Sequence, residues 1–209
     1  MSAVSDIITD IGYQIDDANN TRFTETFKLN LVKLAIRRAN RIVQRNGLQF
    51  AKKYTDLTTT ASQAYVTMPV DLDVDIGFWD TSTHYPLIKV FEDVWEELVS
   101  AQDKQYYLLD YINSRIQIKN TPQDSTTTLR LWYFPKVDPS AYTTASTMPW
   151  EGRLDDIISQ YVSMRLLNIA EMDVSMELQL LQDMENQILD AYKPLTQTLQ
   201  EKKGWLVDG

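Results

Sequence analysis

Thr127-Thr128-Leu129-Arg130-Leu131-Trp132-Tyr133-Phe134 changes side-chain character at nearly every step. Leu129, Leu131 and Tyr133 fall on one side of an extended chain, and Arg130, Trp132 and Phe134 on the other. That period of two predicts a strand, and the aromatic pair on its second face predicts that this face is covered too, or binds something. Upstream, similar readings predict strands over 52–60, 64–68, 76–79, 87–90, 106–109 and 115–119. Threonine-rich segments favour extended chain because a β-branched side chain is stiff at χ1. The first two strands are expected to surround a short turn at Ala61-Ser62-Gln63, with Pro69 stopping the second and leaving Asp71 and Asp73 in a loop. Thr81-Ser82-Thr83-His84, Asn113-Ser114 and Thr121-Pro122-Gln123-Asp124 supply further turns. A short helix is predicted over 91–101, with Val94, Trp95 and Leu98 on its buried side, and a loop over 135–149.

On both sides of this block the period becomes helical. Residues 5–15 form a weak helical segment, followed by the polar turn Asp16-Asp17-Ala18-Asn19-Asn20. Thr21 or Thr24 then suits an N-cap. Phe23, Phe27, Leu31, Leu34 and Ile42 mark an amphipathic helix that ends at Asn46-Gly47, where Gly47 can take the left-handed C′ conformation. Downstream, Leu154, Ile157, Ile158, Tyr161 and Met164 mark a second helix. After a break near Asp173, Val174, Leu178, Leu181, Ile188, Tyr192, Leu195 and Leu199 mark a third, which Pro194 should bend. Neither helical half buries its apolar stripe alone, so the two are expected to meet. The fold class that follows is α+β: an antiparallel helical bundle formed by the N- and C-terminal helices, interrupted by a β-rich insertion with a short helix. The expected divisions are N-terminal helices over 1–47, the insertion over 48–149, C-terminal helices over 150–194 and an extension over 195–209.

The 209 residues are 44% hydrophobic and 11% aromatic, enough for a sizeable core, and include no cysteine, which excludes disulfide and thiolate chemistry. No basic leader and no run of ~20 apolar residues is present, so the sequence predicts a soluble protein made inside the cell. A net charge of −9 opposes bulk affinity for nucleic acid. The distribution says more than the sum. Between Thr21 and Asn46, Lys28, Lys33, Arg37, Arg38, Arg41 and Arg45 face one acidic residue, Glu25. Between Trp150 and Tyr192 the bias reverses, with Glu171, Asp173, Glu177, Asp183, Glu185 and Asp190 among nine acids and only Arg153 and Arg165 opposing them. Lys33, Arg37, Arg41 and Arg45 recur at i+4, a cationic ridge with Arg38 beside it. Three readings of the ridge stand side by side: a solvated face, a DNA contact weakened by the protein's own negative field, and an ion-pairing seam with an acidic helix of this or a neighbouring subunit. The acids assigned to that seam are Glu177, Asp183 and Glu185.

Sites for chemistry are scarce. His84 is the single histidine and falls in a turn with neither a cysteine nor a serine elbow to work with. Asp71-Leu72-Asp73-Val74-Asp75 alternates carboxylates but lacks the glycine and glutamate of a calcium loop. Asp155 and Asp156 are adjacent and point about 100° apart on a helix, so they read as first-turn acids favouring the macrodipole. No glycine-rich phosphate loop exists. An enzyme is therefore not expected, and no cofactor or metal is called for. The aromatic residues of the insertion leave open a carbohydrate-binding lobe, which a glycan screen on the isolated 48–149 segment would test.

Taken in order, the elements resemble the head-to-tail adaptor (connector, or head-completion) proteins of tailed bacteriophages. The resemblance rests on the basic helix Leu34-Ala35-Ile36-Arg37-Arg38-Ala39-Asn40-Arg41-Ile42 and the strand pair ending Tyr65-Val66-Thr67-Met68-Pro69-Val70-Asp71-Leu72. Ile76-Gly77-Phe78-Trp79, Pro86-Leu87-Ile88, Tyr106-Tyr107, Ile116-Gln117-Ile118 and Leu129-Arg130-Leu131-Trp132-Tyr133 follow, and then Trp150-Glu151-Gly152-Arg153-Leu154-Asp155-Asp156-Ile157-Ile158. It implies a structural virion protein of the neck, made in the host cytoplasm and assembled as a homo-oligomeric ring, commonly a dodecamer. Its implied partners are the portal protein and a downstream tail or stopper protein, with DNA passing through the channel without specific binding and no membrane involved. In related adaptors a C-terminal segment reaches along the portal, and Leu195, Leu199, Trp205 and Leu206 occupy that position here. A stopper or tail-tube component is the neighbouring alternative, disfavoured because a stopper is expected to be mostly β.

Overall fold

The computed structural model describes residues 2–98, 105–119 and 127–192. Its helices are α1 (Val4–Gln14), α2 (Glu25–Asn46), α3 (Glu92–Trp95), α4 (Asp155–Ile169) and α5 (Ser175–Ala191). Its strands are β1 (Lys53–Thr58), β2 (Tyr65–Thr67), β3 (Leu72–Asp80), β4 (Pro86–Lys89), β5 (Tyr106–Asp110), β6 (Arg115–Lys119) and β7 (Thr128–Pro135). The chain divides into two compact units, one of residues 52–136 and one of the residues before and after them.

In the strand unit all seven strands join one sheet in the order β1-β7-β3-β4-β5-β6-β2, antiparallel except where β4 meets β5. The two end strands, β1 and β2, approach one another, so the sheet nearly closes. The alternation of β7 works as its sequence dictates. Leu129, Leu131 and Tyr133 are buried with Phe78, Tyr107, Ile116 and Ile118, while Arg130 and Trp132 face the other way. Phe134 is buried as well, so the second face is partly covered.

Two local expectations change. The first two strands do not form a hairpin with each other. β2 has only three residues and pairs β6, whereas β1 pairs β7 along six residues from Lys53↔Tyr133 to Thr58↔Thr128. That longer ladder buries β7 on one side and sets Asp56 opposite Arg130, whose Nε and Nη2 reach the carboxylate at 2.7 and 2.8 Å. A forked pair of this kind fixes register where a three-residue strand cannot. The strand expected over 76–79 begins at Leu72, taking Asp73 out of the loop, and two register shifts against β7 bend it. Of the helix expected over 91–101, α3 supplies one turn, and the end of that range lies outside the described residues.

The fold class needs correction. The chain is α+β with a nearly closed, barrel-like seven-stranded sheet and five helices among the described residues, not an antiparallel helical bundle interrupted by a β-rich insertion. Strand order is the reason. Pairings between strands distant in sequence make one continuous ladder with a core of its own, where short hairpins would have made an appendage.

In the helical unit α4 is central, packing on α1, α2 and α5. Thr24 caps α2, its Oγ1 accepting the Phe27 N–H at 3.3 Å, and Gly47 ends it at φ 63°. The buried stripe of α2 is Leu31, Val32, Ala35, Ile36, Ala39 and Val43, so the expected stripe was rotated: Phe27 and Leu34 are exposed. Only Leu181 of α5 is buried. Asp173 stands just ahead of α5, its Oδ1 accepting the Ser175 N–H at 3.0 Å.

Candidate functional site

Among the described residues no catalytic constellation stands out, and what distinguishes the helical unit is its charged surface. The i+4 spacing of Arg37, Arg41 and Arg45 places them in line along α2, on the side away from its buried stripe, and all three are exposed. Among the described residues none of the three forms an ion pair, and neither does Asp183, exposed on α5. Arg38, one position off the line, is engaged within its own chain. Its guanidinium donates to both carboxylate oxygens of Glu185, Nη2 at 3.2 Å, and lies 5.0 Å from the centre of the Tyr161 ring. Lys33 Nζ donates to the Ser140 carbonyl at 3.2 Å. Glu177 is half-buried, and its backbone carbonyl accepts from Gln160 Nε2 at 3.4 Å. Of the expected seam, then, the structure brings together Arg38 and Glu185 and leaves the other arginines without an ion pair among the described residues. Arg41 and Arg45, with Arg38, Glu185, Ile42 and Leu189, line a groove of about 400 Å³.

A second groove in the same unit, of about 760 Å³, has the opposite sign. Asp6 and Asp10 reach it from α1 and Asp155 and Asp156 from α4, with no lysine or arginine among its lining residues. Ser2 Oγ donates to Asp155 Oδ2, yet Asp155 Oδ1 is buried without a hydrogen-bond partner among the described residues. Burial, reinforced by Asp156 and Asp10, pushes the Asp155 carboxyl above the usual carboxylate range. Ser159, one turn further along α4, is 4% exposed and its Oγ also lacks a partner among the described residues. Sequence reasoning treated Asp155 and Asp156 as helix-dipole acids and passed over Asp6 and Asp10. The i+4 repeat of the latter pair on a predicted helix was the available signal.

The remaining candidates resolve into structure. His84 is exposed in the turn between β3 and β4 at φ 59°. Asp71 accepts from Lys53 Nζ at 2.7 Å and Tyr133 Oη at 2.8 Å, and Asp75 from Lys89 Nζ and Tyr107 Oη. Among the described residues no cluster of three or more histidine or acidic side chains is placed to hold a metal ion. Trp132 packs at a tilt against Tyr54, ring centres 4.9 Å apart and planes 46° apart, with Arg130 over the Tyr54 ring. Leu195, Leu199, Trp205 and Leu206 lie outside the described residues. No helix among those described is long and apolar enough to cross a membrane.

A search of curated proteins finds no match to this chain. A family model does match, that of the SU10 adaptor protein, over residues 2–202. The match spans nearly the whole chain, and the protein belongs to the SU10 adaptor family.

Proposed function

We propose that this phage adaptor assembles as a ring beneath the portal, extends the DNA channel toward the tail and makes no covalent chemistry of its own. One observation carries the reading: the arginine ladder Arg37, Arg41 and Arg45 stands exposed and forms no ion pair in its own chain, among the described residues. A row of like charges held in line on a rigid helix repels itself unless a second surface meets it. An acidic surface of the next copy is the economical partner, with Glu177 and Asp183 as acids in reach of such a contact. Glu185 is already engaged by Arg38. A contact between two different faces of one chain repeats head to tail, and cyclic symmetry closes it.

The net charge of −9 fits a conduit that passes DNA without holding it, since anionic walls repel phosphate. Contact with the portal is assigned to Leu195, Leu199, Trp205 and Leu206, apolar residues spaced along a polar C-terminal sequence. Native mass measurement and negative-stain imaging of the full chain, alone and mixed with portal rings, test the reading. A ring of copies on the portal is the expected result, commonly twelve, and truncation after Tyr192 should remove it. A chain that stays solitary in the presence of portal overturns the proposal.

A further inference from the structure

We infer that the acidic groove of the helical unit is the socket for the α2 arginine ladder of a second copy of this chain, an inference that rests on the ring reading and names its interface. The groove and the ladder are separate surfaces. The basic groove and the acidic groove share no lining residue. The socket presents Asp6, Asp10, Asp155 and Asp156 with no lysine or arginine among its lining residues, and the ladder presents Arg37, Arg41 and Arg45 with no acid paired to them among the described residues.

Spacing agrees as well as sign. Asp6 and Asp10 are one helical turn apart on α1, the same interval that separates Arg37 from Arg41 and Arg41 from Arg45. Two helices laid side by side therefore match guanidinium to carboxylate turn by turn. Apolar surface accompanies charge on both sides: Leu180 lines the socket at 50% exposure, and Leu34 stands one turn before the ladder at 46%.

The buried polar atoms set this groove apart from an ordinary acidic surface. Among the described residues Asp155 Oδ1 and Ser159 Oγ have no hydrogen-bond partner, both residues line this groove, and an arginine fork has the donors for the carboxylate and for a hydroxyl oxygen together once the groove opens to admit it. A compact metal ion suits the site less well, because the described residues hold no set of ligands close enough to share one.

The absence of cysteine makes the test clean. Two full-length single variants, Leu34→Cys on the ladder side and Tyr13→Cys at the socket, are mixed and treated with a short bismaleimide. Both positions are exposed and neither bears charge. A head-to-tail contact between unlike faces yields cross-linked dimer in the mixture and none with either variant alone. Adding Arg37→Glu, Arg41→Glu and Arg45→Glu to the first variant should lower the yield at least tenfold, with unchanged circular dichroism showing that the fold survives. Cross-linking of Leu34→Cys to Leu178→Cys, exposed on the side of α5 away from the socket, in place of Tyr13→Cys overturns the socket and leaves the ring reading standing. Equal yields from single variants overturn it in favour of a symmetric contact. With no cross-link in any arm the socket is also refuted. A native mass above one chain then preserves the ring reading, and a solitary chain on portal removes both.

Discussion

Lys28 and Asp17 form an ion pair withdrawn from solvent on both sides, Nζ standing 3.1 Å from Oδ2. The ammonium also donates to the Asp17 carbonyl at 2.8 Å and to Asn20 Oδ1 at 2.9 Å. The Asp17 carboxylate in turn accepts the N–H groups of Arg22 and Phe23 and the Thr21 hydroxyl. The link between α1 and α2 is thus organised around one buried charge pair, and Gly12 leaves room for it: a Cβ there would come 3.2 Å from the Asp17 carbonyl oxygen.

Removing one partner of a buried pair is worse than removing both, because the survivor keeps its desolvation cost and loses its compensation. Lys28→Met is expected to lower the melting temperature by on the order of 10 °C. Lys28→Met with Asp17→Asn should recover more than half of that loss, since an asparagine oxygen still accepts a backbone N–H. Thermal melts followed by circular dichroism decide the matter, and an additive double variant would show the pair to be uncoupled.

Acid should attack the strand unit through Asp110. Its carboxylate accepts from Asn113 Nδ2 at 2.8 Å and the Asn113 N–H, Arg115 Nε and Gln117 Nε2, each at 3.0 Å. The Asn113 side chain first, then its N–H, hold the carboxyl well below the usual carboxylate range, against an opposing contribution from burial. A folded pKa below the unfolded one means stability that is complete above the ordinary value of about 4 and drains away as pH falls toward the folded value. Asp110→Asn should therefore be destabilising at pH 7 and show a flatter acid limb than the parent. Equal acid limbs in a plot of melting temperature against pH would contradict this.

Gly77 makes a prediction whose sign is unusual. Within a strand, glycine normally costs stability relative to alanine. Here a Cβ at position 77 would fall inside the Trp79 indole, 2.5 Å from Cζ3, so the ring lies directly over the glycine. Gly77→Ala is expected to destabilise by about 1–3 kcal/mol through overpacking. Urea unfolding measures it, and a stabilised variant would mean the ring moves freely.

Individual elements were legible in the sequence to the extent that their signals were local. The Thr24 cap, the Gly47 stop and the alternation of Leu129, Leu131 and Tyr133 are short-range chemistry, and the structure follows each. Strand partnership is a different matter. Nothing near Lys53–Thr58 announces that its partner is Thr128–Pro135, because that choice is settled by long-range burial and the Asp56–Arg130 fork. Reading neighbours as hairpin partners is what produced a bundle with an appendage in place of a nearly closed sheet. The charged surface was half legible. The arginine ladder lies in one helix and shows as a period of four, whereas the acidic groove draws on α1 and α4, some 150 residues apart in the chain, and emerges only when they pack.

A socket kept for a partner should cost the isolated chain something. Asp155 is raised by burial, so its carboxyl holds its proton more tightly when folded, and ionising it removes stability as pH rises above the ordinary carboxylate value. Asp155→Asn is accordingly expected to raise the melting temperature of the dilute chain at pH 7, with the gain vanishing as pH is lowered to about 4. Ser159→Ala removes a buried hydroxyl that has no partner among the described residues and should stabilise by about 1 kcal/mol. Both substitutions weaken assembly if the socket holds an arginine, so stability and association move in opposite directions. Melting temperature and sedimentation of the same two variants, measured side by side, test this opposition. A variant that gains stability and associates as well as the parent would show that these buried atoms serve no neighbouring copy.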